Sequence, residues 1–248
     1  MKVKLSRTRN VLNRIALCKD WYKIVLPFNT YFRNGATLHL RNGAVVHVRD
    51  VFSQDLSVIL ELFQQNPYEL ESMDLPATPT VIDIGANIGV FDIQIRQLRP
   101  QARILAYEPH PDNFQLVRMN APFVEAYQQA VAGERGSVHI STEDSEVSFR
   151  LSDKGIAVTA VTLDDVLAMV PHVDLLKVDV EGAEHEIFLG ASIGSLRTVD
   201  RVVMEIHDTT LWGWFEDRMK EEGFVVTKNK TGNMYAYRMS TPTGGASS

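Results

Sequence analysis

The chain has 248 residues, 45% of them hydrophobic and 23% charged, with a formal net charge of −6. This is the make-up of an ordinary globular protein with a sizeable core, and the negative balance argues against a general nucleic-acid-binding surface. The single cysteine, Cys18, excludes an intrachain disulfide and any cysteine-built metal cluster, and no apolar run reaches the ~18 residues that span a bilayer.

The first nineteen residues carry Lys2, Lys4, Arg7, Arg9, Arg14 and Lys19 and no acid, with Val11, Leu12, Ile15 and Ala16 at helical spacing. Residues 1–34 read as one or two short surface helices; a targeting peptide or a peripheral membrane helix would explain the same pattern. Thr37–Leu40 and Val45–Val48 flank Asn42-Gly43, a strong hairpin signal. Asp55–Gln65 sets Leu56, Ile59, Leu60 and Phe63 on one helical face. Ser72–Pro79, with Pro76 and Pro79, is a boundary. The expected layout is a helical and hairpin extension over 1–75 packed on the core, a ligand-binding domain over 76–239, and a disordered tail over 240–248.

From Thr80 the chain alternates strands (Thr80–Ile84, Arg103–Glu108, Val124–Gln128, Asp174–Asp179, Arg201–His207) with helices (Ile88–Leu98, Pro111–Asn120, Glu184–Gly190, Leu211–Glu222). Several strands are apolar on both faces, as in a mostly parallel α/β sheet with helices on both sides. Ser137–Ile140, Val147–Arg150 and Ala157–Val161 read as short antiparallel pieces inserted into the repeat. Thr162-Leu163-Asp164-Asp165 resembles a capping box. Phe224–Thr227 and Met234–Arg238 form a C-terminal hairpin, expected as an antiparallel edge.

The first strand runs into Asp83-Ile84-Gly85-Ala86-Asn87-Ile88-Gly89. Glycines permit a sharp turn and close ligand approach before a helix N-terminus. The dinucleotide pattern Gly-x-Gly-x-x-Gly fails at Asn87 and Val90, so no pyrophosphate gap is present. Asp83 instead sits where a carboxylate meets an ammonium or sulfonium ligand, which favours S-adenosylmethionine (SAM). Glu108 ends the second strand, where an acid accepts from ribose hydroxyls. Asn113 is a neighbouring ligand candidate, although Asp112 or Asn113 serves equally as a helix cap. His110 is a further candidate beside the ribose.

Leu175 to Glu184 is the second informative block. Lys177 and Asp179 share one strand face, and a buried lysine requires an acid. Glu205, on the fifth strand with His207, is the expected partner. Asp179 and Glu181 are expected to line the methyl pocket, and Glu184 reads as a first-turn acid at a helix dipole. For a general base His207 comes first and Asp179 second, with Glu205 beside them. Ligands in open α/β sheets bind beyond the carboxyl ends of the strands, where all these groups lie. A Mg²⁺ held by Asp179 and Glu205 is a rival reading, opposed by Lys177 and by the lesser suitability of His207. A non-catalytic SAM-fold module is a second rival, and a nicotinamide oxidoreductase a third.

Val81–Gly89, Tyr107–Asn113, Ala130–Gly133, Leu176–Glu184 and Met204–His207, in this order, resemble the FkbM family of SAM-dependent methyltransferases. The resemblance covers about residues 50–238. It implies a Rossmann-like class I methyltransferase sheet of seven strands, the last antiparallel, and methyl transfer to a hydroxyl of a sugar, glycolipid or polyketide-type product. It also implies that Asp83, Gly85, Ala86, Asn87 and Gly89 hold the methionine end of SAM, that Glu108 binds ribose, and that Gln129 and Ala130 border the adenine. Acceptor contacts are expected outside this set: the Asn42-Gly43 hairpin, the 137–161 insert, or Trp212, Trp214 and Phe215, which read equally as core. A cytoplasmic enzyme with no metal is expected, its N-terminal segment available for membrane or subunit contact.

Overall fold

The computed structural model describes residues 16–25, 35–49, 54–140 and 155–239. The basic side chains before Leu17, the Val147–Arg150 strand and the 240–248 tail lie outside the described residues.

The extension contains α1 (Trp21–Val25), the hairpin β1 (Ala36–His39) and β2 (Val45–Val48), and α2 (Asp55–Leu60), which continues as a π-helical turn over Glu61–Gln65. The repeat follows as β3 (Thr80–Ile84), α3 (Val90–Leu98), β4 (Arg103–Tyr107), α4 (Pro111–Asn120) and β5 (Glu125–Tyr127). Next come β6 (Ala130–Ala132), β7 (Gly136–Ile140), β8 (Ile156–Thr162) and α5 (Leu163–Leu167). The chain closes with β9 (Leu175–Val178), α6 (Glu184–Gly190), β10 (Arg201–Met204), α7 (Trp212–Glu221), β11 (Val225–Lys228) and β12 (Met234–Tyr237).

The main sheet has seven strands in the order β11-β12-β10-β9-β3-β4-β5. Only β12 runs against the others. It is not the edge: β11 lies outside it. The crossover through α7 carries β11 one position past β10 in the parallel sense, and the hairpin fills the gap with β12. β6, β7 and β8 form a separate three-stranded sheet in which β7–β8 is antiparallel and β6–β8 parallel.

Alternation of burial follows from two covered faces. Ile82, Ile84, Leu176, Val178, Val202 and Met204 are buried in one cluster with Phe188 and Phe215, while Val81, Ile104, Leu175 and Val203 face the other side. Each such large side chain contributes roughly 1.5–3 kcal/mol on burial. That second face is covered partly by the extension, since Leu38, Val46, Leu56 and Ile59 join the same core cluster as Phe91 and Ile95. Asn120 ties the two together: its side chain accepts from His47 N at 2.6 Å and donates to His47 O at 3.0 Å and Ile88 O at 2.8 Å. The α5 capping box is present, with Thr162 and Asp165 exchanging bonds. The α4 cap is neither Asp112 nor Asn113 but His110, whose ring accepts from Asp112 N at 3.3 Å. Pro111 at the first helical position disfavours helical backbone in the residue before it, and His110 is accordingly extended. Phe215 is core, and Trp212 and Trp214 pack half-buried against it.

Candidate active site

The loop after β3 is built by backbone that few residues tolerate. Gly85, Asn87 and Gly89 have φ of 85°, 52° and 81°, in the left-handed region that favours glycine and admits asparagine. The glycines answer to the chain itself: a Cβ on Gly85 would lie 1.8 Å from the Asp179 carbonyl oxygen, and one on Gly89 3.3 Å from Val117 Cα. The loop is therefore pressed onto the end of β9. Gly85 N and Ala86 N donate to Tyr107 O at 2.9 and 3.1 Å, and Asn87 N to Glu108 Oε2 at 2.8 Å.

Beneath it lies a buried charge cluster. Asp83 and Asp92 are completely buried and Lys177 is 3% exposed. Lys177 Nζ donates to Asp83 Oδ1 at 2.9 Å and Gly85 O at 2.7 Å, and stands 3.8 Å from Asp179 Oδ2. The partner of Lys177 is thus Asp83, not Glu205. Register explains this: β3 and β9 are neighbours with Asp83 opposite Lys177, whereas Lys177 is level with Val203 on β10 and Glu205 lies two residues further along. The cation that Asp83 meets is accordingly an internal one. Burial, then the charge of Asp83, pushes the Asp92 carboxyl well above its ordinary range.

Above the strand ends, Gly85, Ala86, Asn87, Phe91, Lys177, Asp179, Glu181 and Glu205 enclose a cavity of about 100 Å³ with Val58, Glu61, Leu62, Pro67 and Tyr68 of the extension. Four of these groups are carboxylates. Glu205 is half-buried; burial first and Asp179 second push its pKa from 4.5 up to about 7. No described residue hydrogen-bonds its carboxylate. Glu61 is raised for the same reasons.

His207 is placed differently from its expected role as first-choice base. Nδ1 lies 2.8 Å from Glu184 Oε1 and Nε2 3.1 Å from Glu181 Oε2. Those bonds, to Glu181 first, push its pKa from 6.5 to about 11. A ring with both nitrogens on carboxylates is an imidazolium and has no lone pair for a substrate proton. Glu184 is more than a first-turn acid: it is 2% exposed and accepts from Val180 N at 3.3 Å and Gly182 N at 3.0 Å besides His207. Glu181 is held at a left-handed φ of 55°, strain that the adjoining Gly182 turn and His207 contact accompany.

Glu108, Asn113, His110, Gln129 and Ala130 do not line this cavity; of them Glu108, just past β4, is joined to it through Asn87 N. Glu108 is 4% exposed, and burial pushes it from 4.5 to about 7. It accepts from Asn87 N, His110 N at 2.9 Å and Asn113 Nδ2 at 3.4 Å, which uses three of about four lone-pair sites. Asn87 Oδ1 and Asn113 Oδ1 are buried and accept from no described residue, so both remain available to a donor group beside Glu108. Gln129 is half-buried, and Ala130 packs in the core of the small sheet. The Asn42-Gly43 hairpin contacts α3 through Gln97 and contributes no cavity wall.

Sequence reasoning did not single out Tyr68, Glu61 or Asp92. Asp92 carried a signal, an acid inside the apolar face of α3. Tyr68 and Glu61 carried none, since only the fold brings them over the strand ends.

A mostly parallel sheet with an acid-lined cavity at its carboxyl ends, beside a glycine loop and a buried strand-end glutamate, defines a nucleotide-ligand enzyme of the Rossmann-like kind. Residues 83–228 match the methyltransferase FkbM domain, and the chain belongs to that family. It is 27% identical over 214 residues to the methyltransferase sdnD of Sordaria araneosa, covering 68% of this chain and 82% of that one. It is 28% identical over 189 residues to the 31-O-demethyl-FK506 methyltransferase FkbM of Streptomyces tacrolimicus, covering 60% and 73%. The crystal structure of a methyltransferase FkbM from Methylobacillus flagellatus KT superposes with a TM-score of 0.52 at 14% identity, over 74% of this chain and 54% of that chain. This last likeness concerns the fold. The chain is a methyltransferase of the class I fold.

Proposed function

We propose that the protein transfers a methyl group from SAM to a hydroxyl of a sugar, glycolipid or polyketide-type acceptor. The observation that carries this reading is the acid-lined cavity where the Gly85–Asn87 loop meets Asp179 and Glu205. SAM supplies a methyl group already activated on a sulfonium. Asn87 and the loop backbone hold its methionine end, and Asp179 lies where positive sulfur is stabilised. Glu108, with one acceptor site left and Asn113 beside it, takes a ribose hydroxyl. Gln129 and Ala130 border the adenine. Asp83 acts one layer down, through Lys177, by fixing Gly85 O and the loop.

On the acceptor side, carboxylates accept hydrogen bonds from hydroxyls, and Glu61, Glu181 and Glu205 all line the cavity. The relative named as a 31-O-demethyl-FK506 methyltransferase is named for an oxygen acceptor, which supports the same chemistry here. A neutral alcohol needs its proton removed as the carbon–oxygen bond forms. Glu205 is the base we assign: it faces the cavity, no described residue occupies it, and a pKa of about 7 suits proton abstraction near neutrality. His207 bridges Glu181 and Glu184 and keeps their geometry. Lys177, 3.8 Å from Asp179, and the His207 ring on Glu181 place positive charge where a cation would have to sit. No helix among the described residues is long and apolar enough to cross a membrane. The layout we propose is an extension over 1–75 on a SAM-binding domain over 76–239.

Titration calorimetry with SAM, S-adenosylhomocysteine and NAD tests the donor. The first two are expected to bind and NAD is not; binding of NAD alone would overturn the reading.

A further inference from the structure

The roof of the cavity comes from chain that precedes the matched family domain, which begins at residue 83. Tyr68 is part of that roof. The ring is 3% exposed and stands edge-on to Phe91 with centroids 5.5 Å apart. Its hydroxyl donates to Asp179 Oδ2 at 2.8 Å. Burial, with the Asp179 charge next, pushes the phenol far above its ordinary range, so toward Asp179 it acts only as a donor. Lys177 Nζ approaches the same Oδ2 at 3.8 Å. No described residue donates to Oδ1. The two oxygens of one carboxylate are therefore unequal: one is anchored, the other is left for a ligand.

Tyr68 is itself held in place. Pro67 O accepts from Thr231 Oγ1 at 3.0 Å, Asn233 Nδ2 at 3.5 Å and Asn229 Nδ2. Lys230 N donates to Glu69 Oε1 at 3.3 Å. Asn66 and Glu69, on either side of Pro67-Tyr68, take left-handed φ values of 47° and 50°. Non-glycine residues hold that conformation at a cost, and only where the surroundings over-determine it. The turn between β11 and β12 supplies those surroundings.

We propose that Tyr68 is a positioning residue of the transfer site: it fixes the Asp179 carboxylate so that Oδ1 faces the sulfonium of the bound donor. This rests on the SAM reading above. A carboxylate already oriented toward a developing or fixed charge need not reorganise to meet it. Within the matched domain, the described contact to the Asp179 carboxylate is the longer one from Lys177, 3.8 Å from Oδ2.

The donor and its demethylated product differ in the sulfur's charge, so they report on that orientation without an acceptor. Calorimetry on the full chain compares SAM and S-adenosylhomocysteine in the wild type, Tyr68→Phe and Thr231→Val. Tyr68→Phe is expected to weaken SAM by about fivefold and S-adenosylhomocysteine by less than about twofold, the order of one net hydrogen bond. Thr231→Val, at an exposed turn, is expected to shift the same ratio in the same sense but less, and carries the test if Tyr68→Phe does not fold. An unchanged ratio, or equal weakening of both ligands, would overturn the proposal while leaving the donor reading intact. A wild type that binds neither ligand would overturn the donor reading, and the proposal with it.

Discussion

Two clusters of one histidine and two acids stand at opposite ends of the same sheet: Asp179, Glu181 and His207 beyond the carboxyl ends of β9 and β10, and His172, Asp174 and Asp200 before their amino ends. By residue type they are alike. At the amino end His172 is 49% exposed and lies 3.2 Å from Asp200 and 3.6 Å from Asp174, which also caps Thr80 N. That is a solvated patch, and exposed pairs of this kind contribute ~0–1 kcal/mol. At the carboxyl end the same ingredients face a cavity, rest on a buried lysine and are roofed by Tyr68. What separates a site from a surface is the company of the residues: burial below, an enclosed volume above, and a carboxylate left unpaired.

The largest expected effect strikes the buried layer. Lys177→Met leaves Asp83 charged and unpaired, which costs ~3–5 kcal/mol, and frees the Gly85 carbonyl. Chemical denaturation is expected to show that loss together with loss of SAM binding; wild-type stability would break the link between the buried pair and the loop. Glu205→Gln comes next. Removing the base is expected to lower kcat by ~10²–10⁴-fold with donor affinity kept. In the wild type kcat/KM is expected to rise with pH through about 7, the value to which burial pushes Glu205, and the variant is expected to lose that limb. A pH–rate profile checks both.

A smaller effect concerns stability against pH. His207 titrates at about 11 in the fold against an ordinary 6.5, and Glu108 and Glu205 at about 7 against 4.5. All three bind protons more tightly folded than unfolded, so stability falls as pH rises. The share of the two glutamates is lost between 4.5 and 7, and that of His207 between 6.5 and 11. Denaturation midpoints of the free protein are expected to fall from pH 5 to pH 9. His207→Gln is expected to flatten the alkaline part. The smallest effect belongs to the opposite cluster: His172→Ala is expected to change stability by less than about 0.5 kcal/mol and methyl transfer not at all.

Much of this was legible in the chain before the fold was known. The alternation of β3 to α4, the Asp83–Gly89 loop and the Leu175–Glu184 block are local patterns, and local patterns fix local structure. Pairings across the sheet were not legible. Lys177 announced that it needed an acid, but which acid depends on β3 being the neighbour of β9 and on the register between them. Glu184 was hidden for a similar reason. Its helix position suggested a dipole role, while its buried contact with His207 arises only when the ends of β9 and β10 meet. Tyr68 and the Pro67 clamp were furthest from view, because two segments far apart in sequence build them, neither with a periodic signal. His207 looked like a base by type and place; its two carboxylate partners make it an ion-pair member.

Transfer of label from methyl-labelled SAM across a panel of sugar, glycolipid and polyketide hydroxyl acceptors, run in parallel on the wild type, His172→Ala and Glu205→Gln, tests the central claim most directly. Labelled product from the first two at equal rates, and at least ~10²-fold less from Glu205→Gln, is the predicted result. Equal rates from Glu205→Gln, or a loss shared by His172→Ala, would contradict it.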